Sequence, residues 1–409
     1  MARLGWIVVA LPVVAGCGGS TVGRDESVVR RDSAGVQIVE NRQPLARLPA
    51  WRVDSVPLVS AQDGAGSPGA LVGISVVRQV AGGNIVAVDT RAADLKVFDS
   101  TGRFVRTIGR RGQGPDEFQM PWTLSPFSAD TSYVLDLGLG RATLLRGAEP
   151  VGTVPLPRPN RSMPSQTLGL QSRDTAIVSF YRGSQPQQEG VAYQNPVPFV
   201  RATVAGTVID MVAIGKGAEL YTIATTEGGH SMIGGESVGM GNETKFQLAG
   251  RRLYLGDTET AEFSVVGLGT RARRIVRWRA TDQPITDADK RDLFRFDSTN
   301  LATAAGGDLG MRAAMFASMR SKRCAARMPF FTDLVIADDG AVWLEQYQRP
   351  WTFVRRYLVA DSTGALIATV TLPPRVRPYQ VTGDRIIARW RDGDDVDHVR
   401  VYRVVKPVN

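Results

Sequence analysis

Cysteine, histidine and lysine are all scarce in this 409-residue chain, at two, two and six residues. Two cysteines cannot build a disulfide scaffold. The histidines, His230 in the glycine-rich EGGHSMIGGESVGMG and His398 at the head of an alternating strand, form no histidine-based metal motif. HExxH does not occur. With so little lysine, the formal charge of +9 rests almost wholly on arginine. Those arginines are dispersed and often alternate with apolar residues, and no nucleic-acid module is recognisable, so nucleic acid is not an expected partner. No apolar run is long enough to span a bilayer as a helix.

What the chain does have is 43 glycines, 23 prolines and 43% apolar residues against 22% charged. That is a globular, turn-rich composition, and it favours many short strands over long helices.

The N-terminus reads MARLGWIVVALPVVAG, one arginine and then a short apolar run from Ile7 to Ala15 broken by Pro12. This is a signal-peptide pattern. It ends in Val14-Ala15-Gly16-Cys17, which resembles the lipobox of bacterial lipoproteins. The resemblance implies that residues 1–16 are removed and that Cys17 is the lipidated N-terminus of a membrane-anchored protein. Gly18, where that family's sorting rules place Asp for inner-membrane retention, points to the outer membrane. Residues 17–35 read as the lipidated cysteine and a flexible tether. Cys324 is then left without a disulfide partner. No histidine lies near it in sequence, so it reads as a passive thiol rather than a nucleophile.

A hairpin recurs along the rest. NIVAVD (Asn84–Asp89) is a nearly continuous apolar run, as expected of a strand covered on both faces. LKVFD, the turn STG and RFVRTIG follow. Similar hairpins occupy Ala142–Pro157, Phe199–Gly215, Phe263–Trp278 and Arg355–Pro373, each after another strand-like run. Such units bury their faces only against one another, as the four-stranded blades of a propeller do. A sixth, near the C-terminus, lacks its outer strand. Asp-Ser-Thr-Gly at Asp99–Gly102 and Asp361–Gly364, with Asp-Ser-Ala-Gly at Asp32–Gly35, reads as one turn repeated. On that reading the following strand, Val36–Glu40, joins the last blade and closes the ring. In RARRIVRWR, Arg271, Arg273, Arg277 and Arg279 alternate with apolar residues while Arg274 and Ile275 break the pattern. The expectation is an outer edge strand guarded by charge.

The chain therefore resembles the six-bladed β-propeller lipoproteins of bacteria, relatives of the NHL-repeat family, most clearly over Ile85–Phe118 and more weakly over Val36–Val405. The implied fold is all-β, with six four-stranded antiparallel blades over residues 36–409, an N-terminal strand closing the last blade, and one insert. Ser162–Gly241 is irregular enough to hide a seventh blade. Gln113–Phe118, with no helix after it, reads as an inter-blade packing loop rather than a phosphate cradle.

Asp89, Asp136 and Asp257 end the second strands of three blades, positions that ring one mouth of a propeller channel. Aspartates there cap turns; they could also bind a polar ligand or a divalent cation, and no other cofactor is called for. The insert, 286–330, should start a helix at Thr286 with Asp287 and Asp289 in its first turn, and hold a second helix in MRAAMFASMR beyond Gly306 and Gly307. It could lie over a channel mouth as a lid. Two functions fit. The first is a lipid-anchored binding or scaffold module that faces a protein, peptide or glycan of the cell envelope. The alternative is a metal-assisted enzyme of lactonase or lyase type at the channel mouth.

Overall fold

The computed structural model describes residues 27–407 apart from 62–66, 158–164, 181–185, 187, 228–229, 271, 305–315, 317–318 and 321. Four short strands open it: β1 (Val28–Ser33), β2 (Val36–Asn41), β3 (Ala50–Val53) and β4 (Val59–Ala61). Blade 1 is β5 (Ile74–Gln79), β6 (Ile85–Asp89), β7 (Asp94–Phe98) and β8 (Phe104–Ile108). Blade 2 is β9 (Pro121–Pro126), β10 (Thr131–Asp136), β11 (Arg141–Arg146) and β12 (Glu149–Pro155). Blade 3 starts with β13 (Ser165–Leu170) and β14 (Thr175–Phe180); after the two-residue β15 (Ala192–Tyr193) it ends with β16 (Pro196–Thr203) and β17 (Val208–Lys216). The chain then leaves the ring through β18 (Leu220–Glu227) and β19 (His230–Ser237). Blade 4 is β20 (Thr244–Ala249), β21 (Arg252–Asp257), β22 (Glu262–Gly267) and β23 (Arg273–Trp278). The helix α1 (Asp287–Ala304) precedes blade 5, which is β24 (Phe331–Ile336), β25 (Val342–Gln346), β26 (Arg356–Ala360) and β27 (Leu366–Thr371). Blade 6 is β28 (Val376–Thr382), β29 (Arg385–Arg391) and β30 (Asp397–Val405), completed by β4.

Each blade is antiparallel and ordered outward from its first strand, so the fold is a six-bladed β-propeller. The middle strands are covered on each face by a neighbouring blade: all five residues of β6 and all five of β7 are buried, Asp94 and Lys96 of β7 as an ion pair at 2.8 Å. Outer strands have one neighbour fewer and show it, as in β12, where only Val154 is buried. Each blade-to-blade seam holds its own apolar core. Val86, Val97, Leu124 and Val134 join blades 1 and 2, and Trp343, Tyr357, Ile386 and Tyr402 join blades 5 and 6. Phe118, fully buried in the first of these seams, makes Gln113–Phe118 the packing loop expected. Gly109 has φ of +76° there, and a side chain on it would run into the Phe118 ring.

The N-terminal region does close the last blade, but not with the residues expected. The closing strand is β4, antiparallel to β30 through Val59↔Val401 and Val399↔Ala61, with Ala61 buried in the seam between blades 6 and 1. Val36–Glu40, assigned that role from the sequence, lies in β2 and pairs in parallel with β23, the fourth strand of blade 4. Between them β3 pairs with β27 of blade 5 and with β30 of blade 6. The segment thus runs along the outside of three successive blades. The sequence misled because Asp-Ser-x-Gly is two different turns. In Asp99–Gly102 and Asp361–Gly364 the Asp Oδ1 accepts from Thr N–H, Thr hydroxyl and the N–H four residues on, and Gly102 and Gly364 sit at φ of +90° and +94°. In Asp32–Gly35 both Ala34 and Gly35 have positive φ, which makes a two-residue hairpin turn joining β1 and β2. Residues 28–33, expected within the tether, are therefore already strand.

β23 is accordingly no edge strand, and its arginines do not guard one. Nor is there a seventh blade in 162–241: β15, β18 and β19 form a separate three-stranded sheet that packs on α1 and not in the ring. α1 starts as its sequence says. The Thr286 hydroxyl accepts from Asp289 N–H at 3.2 Å, and Asp289 accepts from Thr286 N–H at 2.9 Å, a reciprocal cap. The second expected helix and Gly306–Gly307 lie largely outside the described residues. Among the described residues no helix is long and apolar enough to cross a membrane.

Candidate functional site

The antiparallel blades give the ring two rims. The upper rim carries the turns between second and third strands and the crossings between blades. The lower rim carries the turns between first and second, and between third and fourth, strands. β18–β19 and α1 are inserted in blade crossings and β15 in the turn between the second and third strands of blade 3, so their module stands on the upper rim. It is held there by Arg349, whose Nε donates to Asp289 at 2.6 Å, and by Tyr347 and Trp351 of the blade 5 turn.

The three flagged aspartates also lie on the upper rim, each at its own blade. Asp89 is fully buried and accepts from Val72, Gly73 and Ala92 N–H at 2.6, 3.1 and 2.9 Å. Asp136 repeats this with Gln119, Met120 and Leu139 at 2.8, 3.0 and 3.0 Å. Each ties its hairpin turn to the chain entering the same blade, satisfying N–H groups that no ladder reaches. Asp257 differs: it pairs with Lys216 Nζ at 2.7 Å and accepts from Glu259 N–H at 3.3 Å. The structure does not bring the three together. Among the described residues no group of three or more His, Cys, Asp or Glu side chains is placed to hold a metal ion.

The remaining flagged residues are scattered. Cys17 lies outside the described residues. Backbone at His230 is in β19. His398 is buried against Trp390 and shares a hydrogen bond with Asp392 at 2.8 Å, which holds that carboxyl below its ordinary range. Cys324 is half-buried in the accessory core, and burial pushes its thiol pKa up, as befits a passive residue.

The large opening is on the lower rim, where sequence reasoning placed nothing. A cleft of about 980 Å³ reaches from the channel mouth, at Arg78 and Tyr133, to a notch between blades 4 and 5. Five arginines (78, 251, 252, 273 and 274) and three aspartates (32, 338 and 361) line it. Strand register explains the notch. Tyr254, Val265, Arg274, Gln37 and Asp32 stand in one row across β21, β22, β23, β2 and β1. Side chains alternate, so Arg252, two residues before Tyr254, and Arg30, two before Asp32, share the face with Arg274. Higher on that face Val39, Phe263 and Val276 are buried against blade 5. At its lower end the seam opens and the guanidinium groups occupy it.

Arg274 is the centre. Its Nε donates to Gln37 Oε1 at 2.5 Å and its Nη1 to the Ser362 carbonyl at 2.6 Å, which links blade 4, the N-terminal hairpin and blade 5. Burial, then the neighbouring Arg252 charge, pushes its pKa below the ordinary value, and Arg30 adds to this; Tyr254 and Asp361 pull the other way. It stays charged at neutral pH. Arg252 and Arg273 have no ion pair among the described residues, whereas Arg277, on the same strand, is bound to Glu262 at 2.7 Å. Nearby, Asp338 accepts from Gln380 at 2.9 Å and Arg78 at 3.4 Å, and Asp361 is occupied by its own turn. The notch is therefore underneutralised. The signal was in the sequence, as the break in alternation at Arg274: a charge on the face that Val276, two residues on, buries.

Fold and cleft together define a six-bladed β-propeller with an arginine-lined lower mouth. A family model described as a 6-bladed β-propeller matches residues 69–131, covering blade 1 and β9. Among solved structures, a member of the duf4221 family from Bacteroides vulgatus is 9% identical with a TM-score of 0.51, over 87% of this chain and 99% of that one. A protein of Bacteroides fragilis described as exported is 12% identical with a TM-score of 0.45, over 87% and 99%. Virginiamycin B lyase from Staphylococcus aureus is 10% identical with a TM-score of 0.37, over 87% and 100%. At such identities the likeness is one of fold. No curated protein matches the chain.

Proposed function

We propose that this protein is a lipid-anchored propeller of the bacterial cell envelope that binds a ligand or partner at its lower mouth. Export, cleavage before Cys17 and acylation of that residue are supported by the Val14–Cys17 pattern behind a short apolar core, and Gly18 favours the outer membrane. The partner is a component of the envelope: a protein, a peptide or a glycan. The observation that carries the binding role is the cleft itself. A concave opening of about 980 Å³ with convergent polar groups has the dimensions of a ligand site. Asp89 and Asp136 have no part in this reading, because their oxygens are committed to backbone N–H groups.

Two measurements test it. Metabolic labelling with a fatty acid should mark the wild type, and Cys17→Ser should abolish the label and release the protein from membranes. Thermal shift of the full chain against fractionated envelope extract should find a stabilising fraction. That effect should vanish in Ala272→Trp, which fills the cleft from the exposed turn between β22 and β23. A stabilising fraction indifferent to Ala272→Trp would place the site elsewhere and defeat the proposal.

A further inference from the structure

We infer that the ligand of the lower cleft carries an oxyanion, a carboxylate or phosphate group, received between Arg252 and Arg274. This rests on the reading of the cleft as a binding site and adds the chemistry of what enters it. Two guanidinium groups, of Arg252 on β21 and Arg274 on β23, project from one face of a single sheet into the cleft and stand close enough for Arg252 to disfavour the charge on Arg274, while Arg30 on β1 donates to Thr363 Oγ1 at 2.8 Å outside it. Like charges held together beside an apolar seam are costly to the protein alone. A bound oxyanion reverses the sign of that cost.

The donors suit the task. Arg274 is fixed by Gln37 on one side and the Ser362 carbonyl on the other, through Nε and Nη1, which leaves Nη2 to donate into the cleft. Arg252 has no ion pair among the described residues, so its fork is free to bind a planar or tetrahedral oxyanion with two parallel hydrogen bonds. Amides of Gln37 and Gln247 line the same wall and can hold neutral parts of the molecule. The acids of the cleft sit mainly on the blade 5 side and at the hairpin turn. Asp361 Oδ1 accepts from the N–H groups of Thr363 and Ala365, and Asp32 Oδ1 accepts from Gly35 N–H at 3.0 Å. They offset only part of the charge, since five arginines face three aspartates.

The test is isothermal titration of the full chain in detergent micelles with two probe anions, citrate and pyrophosphate. One saturable site is expected for at least one of them, weaker at high salt. Arg252→Gln and Arg274→Gln should each weaken it about tenfold or more. Arg146→Gln, which removes an exposed arginine paired with Asp130 on blade 2, should leave it unchanged. Binding of citrate alone identifies a carboxylate site, of pyrophosphate alone a phosphate site, and of both a general oxyanion site. No binding of either, or binding that survives the Arg252→Gln/Arg274→Gln double variant, overturns the inference. The two proposals fail separately. An envelope fraction blocked by Ala272→Trp but indifferent to both arginine variants would keep the binding site and remove the oxyanion. Arginine-dependent binding of the probe anions with no stabilising envelope fraction would keep the oxyanion site and remove the envelope partner.

Discussion

The two rims of this propeller handle charge in opposite ways. On the upper rim Asp89 and Asp136 are buried and saturated, each accepting three backbone N–H groups. On the lower rim the arginines of blade 4 are gathered at the open end of a seam with too few acids to answer them. Buried charge with satisfied partners holds a fold together, while exposed charge without partners is available to something else. The residues most conspicuous in the sequence are of the first kind. The ones that point to function are of the second.

Both rims depend on the closed ring, so the largest effect belongs to the closure. Ala61→Asp places a carboxylate without a partner in the seam between blades 6 and 1 and should abolish soluble, cooperatively melting protein. Normal melting of that variant would mean that β4 does not close the ring. Next come the upper clamps. Asp89→Ala and Asp136→Ala each strand three N–H groups and should cost about 2–4 kcal/mol in denaturant unfolding. Asp257→Ala, which loses a partly exposed pair with Lys216, should cost less than about 1 kcal/mol. Equal costs for all three would erase the distinction drawn between them.

The helix cap gives a pH signature confined to the upper module. Hydrogen bonds from Thr286, then Arg349, lower the Asp289 pKa to about 2 from 3.8. A depressed acid contributes stability that is full above the unfolded value and lost as pH falls through the folded one. Hydrogen exchange in α1 should therefore accelerate between pH 4 and pH 2, and Asp289→Ala should remove that step while lowering module stability by about 1–2 kcal/mol at neutral pH. The smallest stability effect is expected on the lower rim. Arg252→Gln should change unfolding free energy by no more than about 0.5 kcal/mol, with any gain largest at low salt. A large loss would show that the arginine wall is structural after all, and the contrast between the rims would collapse.

Much of the ring was legible because its periodicities are local. NIVAVD reads as a doubly covered strand whatever its neighbours are, and Phe118 with Gly109 marks the exit from blade 1. The start of α1 was equally plain, since a capping box spans only four residues. The aspartates were placed correctly at the ends of second strands. Turn capping was readable, and Asp89 and Asp136 do accept from Ala92 and Leu139 N–H; the second half of each clamp was not, because its N–H groups lie 16 or 17 residues away. Arg274 was visible only as an irregularity, since what makes it unusual is a row of partners drawn from β2 and β1, more than two hundred residues earlier.

The sequence by itself settled the class of fold, the repeated hairpins and a ring completed by its own N-terminal region, because alternation and turn chemistry act over a few residues. Which N-terminal strand closes the ring, where the other one docks, and where arginines converge were decided by tertiary structure. β2 and β4 both pair with exposed sheet edges, and the pairing is set by which edge and seam each fills: Ala61 is buried in the seam between blades 6 and 1, and Val39 in that between blades 4 and 5.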